Sequence, residues 1–283
     1  MKANYSGALT RRQFINLGAL SVAACGVGLQ AAAAAKKVPL GLQLYSVREQ
    51  CAKDLPAVLK AVGAMGYKGV EYAGYYKRNA KELRQMMDDN GLVCCGTHTG
   101  MDTLEKDALE ATLEFNHTLG NKYLIVPGMP EKRSNSKQAW LDTAKYFNEL
   151  AARVKSHGMV VGYHAHAGDF KKIEGAVPWD LFFGNTQKSV VMQLDTGNCL
   201  DGGADPVAVL KKYPGRARTI HLKEHGGAAS AVVGEGEVKW SEIFKLCEAG
   251  GAVDWYIVEH ERGGPDPLGD VKRCLESLKK MGK

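Results

Sequence analysis

From Val38 onward, short runs nearly continuous in apolar residues alternate with longer stretches in which apolar residues recur at helical spacing. The runs are Leu40–Val47, Gly69–Tyr72, Leu92–Gly96, Tyr123–Pro127, Val160–His164, Val190–Asp195, Thr219–Leu222 and Trp255–Glu259. Strands of that kind, separated by helices, predict a parallel sheet covered on both faces. Leu55–Met65, Ala80–Met87, Trp140–Val154, Pro206–Tyr213 and Ser241–Ala249 carry the helical period, and Leu268–Met281 closes the chain. Boundary residues agree: Asp205-Pro206 is a cap followed by proline in the first turn, and Gly66, Gly91 and Gly158 stop the helices before them. Eight strand–helix units over residues 36–283 predict one (β/α)8 TIM barrel domain. A doubly wound open sheet lacks support, because no Gly-x-Gly-x-x-Gly follows the first strand.

A barrel of this type carries its chemistry at the carboxyl ends of its strands. The second strand ends in Glu71-Tyr72, the third runs into Thr97-His98, and the fifth ends His164-Ala165-His166. The sixth ends Asp195-Thr196-Gly197-Asn198, the seventh gives His221-Leu222-Lys223-Glu224-His225, and the eighth gives Glu259-His260-Glu261. Of eight histidines, all but His117 and His157 fall at or just after a predicted strand end. Side chains alternate along a strand, so His164 pairs in direction with His166, Gln193 with Asp195, His221 with Lys223 and Glu259 with Glu261. Four adjacent strands can thus bring His164, Asp195, His221 and Glu259 together. Two imidazoles and two carboxylates suit one divalent ion of borderline hardness, Mn²⁺, Zn²⁺, Co²⁺ or Fe²⁺, better than the oxygen-seeking Mg²⁺ or Ca²⁺. Singly, these residues have plainer uses. A lone histidine at a strand end is usually structural, and His225 and His260 need be no more than that. Asp195 before Thr-Gly-Asn could form a turn or cap a helix, and Lys223 could pair with Glu224 or Glu261. Their joint occurrence on strands five to eight is harder to explain that way, because each group left unpaired would be costly to bury. Glu71 and His98 divide evenly between substrate contacts and a structural pair.

Composition narrows the rest. Residues 1–35 hold Lys2, Arg11 and Arg12 and no acid, half of the formal net charge of +6, so the remainder is nearly balanced and offers no simple footing for nucleic acid. Thr10-Arg11-Arg12-Gln13-Phe14, then an apolar stretch from Ile15 through Leu29 and the alanines 31–35, predicts a twin-arginine export signal with cleavage near Ala33–Ala35. The stretch is too interrupted for a stable membrane span. Val22-Ala23-Ala24-Cys25 offers a lipoprotein cleavage box as the minor alternative to a soluble periplasmic form handed over by the twin-arginine machinery. Cys51, Cys94, Cys95, Cys199, Cys247 and Cys274 match no zinc ribbon or redox pair and are expected to be buried free thiols, with Cys94 and Cys95 facing opposite ways.

Gly162-Tyr163-His164-Ala165-His166, Gln193-Leu194-Asp195-Thr196-Gly197-Asn198, His221-Leu222-Lys223-Glu224, Gly234-Glu235-Gly236 and Ile257-Val258-Glu259 stand in an order and spacing that resembles the xylose isomerase-like barrels, the sugar phosphate isomerases/epimerases. The resemblance runs from Gly41-Leu42-Gln43-Leu44-Tyr45-Ser46 to the last helix. It implies a divalent metal held by one residue from each of strands five to eight, gripping vicinal oxygens of a small carbohydrate while a proton is moved beside its carbonyl. Asp195, His221 and Glu259 match the ligand positions. Ketose epimerases have a glutamate where this chain has His164, and many relatives have a histidine at the place of Asn198; losing that glutamate puts a two-carboxylate C3 epimerase in doubt. Endonuclease IV shares the barrel, but its extra Asp-x-His ligands have no counterpart here. On this reading Glu259 and His166 are the acid/base pair, Lys223 assists charge, and Glu71, His98 and Asn198 contact substrate. The expected activity is a metal-dependent isomerase or epimerase. Its rivals are a lyase or hydrolase acting on 3-keto-glycosides at the same metal and a non-catalytic sugar-binding barrel. Which sugar is used and the oligomeric state are left open.

Overall fold

In the computed structural model, which describes residues 37–249, 252–262 and 264–283, eight parallel strands close into a barrel in chain order. They are β1 (Leu40–Gln43), β2 (Gly69–Tyr72), β3 (Val93–His98), β4 (Tyr123–Val126), β5 (Val160–His164), β6 (Val191–Asp195), β7 (Thr219–Leu222) and β8 (Trp255–Val258), with β8 pairing back onto β1. Around them run α1 (Arg48–Met65), α2 (Ala80–Asp88), α3 (Ala108–Leu119), α4 (Lys137–Lys155), α5 (Pro178–Phe183), α6 (Thr196–Asp201), α7 (Pro206–Lys212), α8 (Trp240–Ala249) and α9 (Pro267–Lys280). The expected TIM barrel is the fold. The predicted export signal, including Arg11-Arg12, Cys25 and Ala33–Ala35, lies outside the described residues. No helix among the described residues is long and apolar enough to cross a membrane.

Two boundaries differ from expectation for local reasons. β1 stops at Gln43 because its side-chain oxygen accepts from the Tyr45 backbone N–H at 3.0 Å, which turns Leu44–Val47 into a 3-10 helix. α1 starts at Arg48 but breaks at Asp54 (φ −153°, ψ 82°), whose carboxylate caps Ala57 N–H ahead of the regular period from Leu55.

Alternation along the strands sorts the core into two populations. Leu42, Val70, Cys94, Leu124, Val161, Met192, Ile220 and Tyr256 point outward into the layer between sheet and helices. Tyr123, Ile125 and Val191 fill the barrel interior, with Val160 and Trp255 packed against them. Space there is tight: a Cβ on Gly162 would lie 2.7 Å from Ile125 Cδ1 and 2.8 Å from Val191 Cβ. Above this apolar plug the interior turns polar, through Gln43, Glu71, Gln193 and Thr219, all fully buried.

One irregularity decides what β3 contributes. Val70 pairs with Cys94, but the next residue, Glu71, pairs with Gly96, so Cys95 is the extra residue of a bulge. Such a bulge re-aims the side chains beyond it. Cys94 faces the outer core, Thr97 hydrogen bonds Asn116 beneath α3, and His98 turns into the barrel instead of away from it. The six described cysteines are buried and unpaired, as expected.

Candidate metal centre and active site

Strands β5 to β8 deliver four side chains to one point. His164, Asp195, His221 and Glu259 each offer a ligand atom, and those atoms lie within 4.8 Å of one another. Register explains the convergence. Asp195 pairs with His221, and His164 pairs with Gln193, two residues before Asp195 on the same face. Asp195 serves in two ways. Its Oδ1 accepts the Asn198 N–H at 2.7 Å and so caps α6, while its Oδ2 is buried without a hydrogen-bond partner. That orphaned oxygen lies 3.9 Å from His221 Nδ1, whose own partner is Glu259 Oε2 at 2.5 Å. On its other side, His221 Nε2 meets Glu71 Oε2 at 2.6 Å.

Electrostatics follow from burial and these contacts. Burial alone would hold His221 low, but Glu71 and Glu259 outweigh it and raise the imidazole to about 10. Burial likewise opposes ionisation of Glu71 and Glu259, yet His98 and His221 hold the first low and His221 the second. Asp195 has less help: burial pushes it up to about 7 despite Lys223. Burial holds His164 well below the usual imidazole range, and partial desolvation with the nearby His98, Lys223 and His221 charges lowers His166 as well. Because the folded value of His221 lies above its unfolded one, its stabilisation of the metal-free chain is complete below about pH 6.5 and is lost as pH rises through about 10. An ion ligated by His221 must displace a proton, so affinity for Zn²⁺ or Mn²⁺ is expected to rise about tenfold per pH unit between about pH 7 and 9. Calorimetric titration in buffers of different ionisation enthalpy reads this directly; a flat profile would remove His221 from the donor set.

The other expected site residues are placed unequally. Lys223 reaches Glu259 Oε1 at 3.4 Å and Asn198 Oδ1 at 3.1 Å, and it pairs with Glu261. Glu224 is not its partner; that carboxylate faces away and takes the Gly234 and Val238 N–H groups and the Trp240 indole N–H. His166 lies beside His164, ring centroids 4.9 Å apart, and remains exposed at the barrel mouth. His98 is half-buried and stacks on His221 at 5.5 Å. Two residues expected at the substrate have their side-chain polar atoms engaged within the protein. Glu71 is fully buried a layer below, its oxygens occupied by Gln43, Gln193 and His221, because β2 delivers it level with Gln43 of β1. Asn198 is buried, with its amide N–H donating to Ala165 O and its oxygen accepting from Lys223, so it braces the β5 loop and the lysine. The sequence puts Gln193 on the Asp195 face but gives neither it nor Gln43 a role; the available signal was an amide on the inward parity of otherwise apolar strands.

A model of the family described as xylose isomerase-like TIM barrel matches residues 59–281, a span that holds all four convergent side chains. The chain belongs to the xylose isomerase-like TIM barrel family. Among relatives in sequence, the inosose dehydratase of Clostridium tetani (strain Massachusetts / E88) is 23% identical over 253 residues, covering 76% of this chain and 82% of that protein. A sugar phosphate isomerase/epimerase from Parabacteroides distasonis ATCC 8503 superposes with a TM-score of 0.74 at 29% identity, covering 86% of this chain and 98% of that one. D-Psicose 3-epimerase from Clostridium cellulolyticum H10 shares the fold, with a TM-score of 0.64 at 16% identity over 86% of this chain and 98% of that one.

Within this xylose isomerase-like barrel the donor set fits a divalent ion on chemical grounds. A buried oxygen left unpaired costs about 1–3 kcal/mol or more, and Asp195 Oδ2 is such an atom, facing the His221 nitrogen that Glu259 also approaches. Two imidazoles and two carboxylates are the borderline donors that select first-row transition ions.

Proposed function

We propose that this chain removes the proton α to the carbonyl of a small keto-sugar or keto-cyclitol, after export by the predicted twin-arginine signal. The observation that carries the reading is the four-residue donor set itself, with Lys223 3.4 Å from Glu259 and His166 beside His164, the side on which a substrate gripped at its carbonyl would present its α-carbon. A divalent ion held by His164, Asp195, His221 and Glu259 would supply Lewis acidity toward the carbonyl and neighbouring hydroxyl. Glu259 or His166 takes the proton, the C–H electron pair moves to the carbonyl oxygen, and the Lys223 ammonium faces the charge that develops.

Elimination is favoured over epimerisation by the donor set. His164 stands where a ketose epimerase has its second carboxylate, so Glu259 has no opposed carboxylate partner on the fifth strand. One carboxylate with an imidazole beside it suits loss of the α-proton followed by return of the electron pair to expel a β-oxygen, with the protonated group delivering its proton to the departing oxygen. The dehydratase name of the curated relatives points the same way.

Turnover of keto-cyclitols and 3-keto-glycosides in D2O tests this. The expected result is release of water or alcohol with growth of enone absorbance, and deuterium exchange beside the carbonyl in recovered substrate. Deuterium in a rearranged sugar without elimination would make the chain an isomerase or epimerase. Solvent oxygen in product without carbon-bound deuterium would indicate hydrolysis, and binding without turnover a sugar-binding barrel.

A further inference from the structure

Glu71 lies away from the reacting groups, yet it orients Gln193 and His221 beside them. Gln193 shows how. Its amide nitrogen is 2.8 Å from Glu71 Oε1 and 3.1 Å from Thr219 Oγ1. An ionised carboxylate only accepts, so the amide NH2 must face Glu71 and the amide oxygen must face the other way. That oxygen meets His164 Nδ1 and His98 Nε2, each at 3.1 Å. An amide oxygen also only accepts, so His164 carries its proton on Nδ1 and leaves the Nε2 lone pair bare. The second arm is direct. Glu71 Oε2 is 2.6 Å from His221 Nε2, which fixes a proton there and points Nδ1 at Glu259 and Asp195. The carboxylate is itself held: Gln43 Nε2 donates to Oε2 at 2.8 Å, while the Gln43 oxygen is taken by Tyr45 N–H, so that amide cannot turn over. The β3 bulge makes the room, since a Cβ at Gly96 would fall 2.3 Å from Glu71 Oε1.

We propose that Glu71 is a positioning residue that sets the proton-bearing nitrogen of both histidines in the centre, Nε2 of His221 directly and Nδ1 of His164 through Gln193. This rests on the metal-centre reading above. Partners of this kind, one step behind the ligating atoms, fix ring orientation and raise ligand basicity, and their loss typically costs metal affinity roughly 10- to 100-fold.

Long-range ¹⁵N–¹H correlation of the histidine rings, on metal-free and Zn²⁺-loaded protein, reads the proton positions. Metal-free wild type is expected to show His164 with Nδ1–H and a bare Nε2. The loaded form should show His221 bound through Nδ1 with Nε2–H retained. Glu71→Gln cannot accept on both arms, so His164 should lose its preference, and Zn²⁺ affinity should fall roughly 10- to 100-fold. Gln193→Leu cuts one arm only: His164 should lose its preference while His221 keeps Nε2–H. A proton on His164 Nε2 in wild type would overturn the proposal whatever becomes of the variants, as would wild-type Zn²⁺ affinity in a folded Glu71→Gln protein. Wild type that shows the expected His164 ring but takes up neither Zn²⁺ nor Mn²⁺ would sink the metal reading and leave the control of proton position by Glu71 standing.

Discussion

Asp195→Asn is expected to leave the barrel folded while cutting metal retention and turnover by about a thousandfold. Asparagine caps a helix as well as aspartate does, so the Oδ1 contact to Asn198 N–H survives and α6 keeps its start. The substitution takes away the negative charge of the oxygen that has no partner in the protein. Losing several kcal/mol of Lewis-acid stabilisation, at about 1.4 kcal/mol per tenfold, gives the factor. Stability moves in the opposite direction. Burial raises the carboxyl to about 7, well above its unfolded value, so its ionisation costs the metal-free fold progressively as pH climbs from the unfolded value through about 7. The metal-free variant should therefore melt higher than metal-free wild type at pH 8. Elemental analysis, kinetics and thermal denaturation on the same preparations check all three expectations. A variant that retains its metal would dissolve the four-residue centre.

Glu259→Gln is expected to lower kcat by roughly 10²- to 10⁴-fold, the range general-base removal covers, with a smaller change in KM. Three donors from β5 to β7 remain, so part of the metal should stay bound. His221 loses one of the two carboxylates that raise it and should titrate lower, and Lys223 keeps Glu261 as its partner. Steady-state kinetics beside metal content separate the cases. Loss of metal in proportion to kcat would reduce Glu259 to a ligand alone, and unchanged kcat would take it out of the chemistry.

The barrel was legible because its strands are short, apolar and evenly spaced, a pattern few other folds share. The four-strand cluster was legible for a related reason: inward parity at the ends of adjacent parallel strands brings residues of different strands to one level, so His164, Asp195, His221 and Glu259 needed only alternation to be grouped. Alternation fails at β3. With unbroken parity from Cys94, His98 would face outward, and only the bulge at Cys95 brings it in. No residue type marks a bulge well enough to find it beforehand. Depth was the other blind spot. For Glu71 the sequence left a substrate contact and a structural pair with His98 evenly open, because barrel strands are staggered, and the register that puts it beside Gln43 and within 3.2 Å of His98 Nε2 is a property of the closed sheet. For Asn198 the sequence could not show its contacts to Ala165 and Lys223, which are made across loops.

The six described cysteines are buried and unpaired, and what shelters them is packing rather than bonding. Burial pushes Cys51 up to about 11 and Cys247 and Cys274 to about 12, so only on the order of one thiol in ten thousand, or fewer, is nucleophilic at neutral pH. Burial thereby keeps these described thiols from ready attack on an oxidant. An unfolded copy of the full chain would have all seven thiols, Cys25 among them, free to cross-link in many wrong combinations. For this barrel the order of events matters: folding that precedes any meeting with an oxidising environment removes the thiols from play, and folding that follows it would have to compete with scrambling.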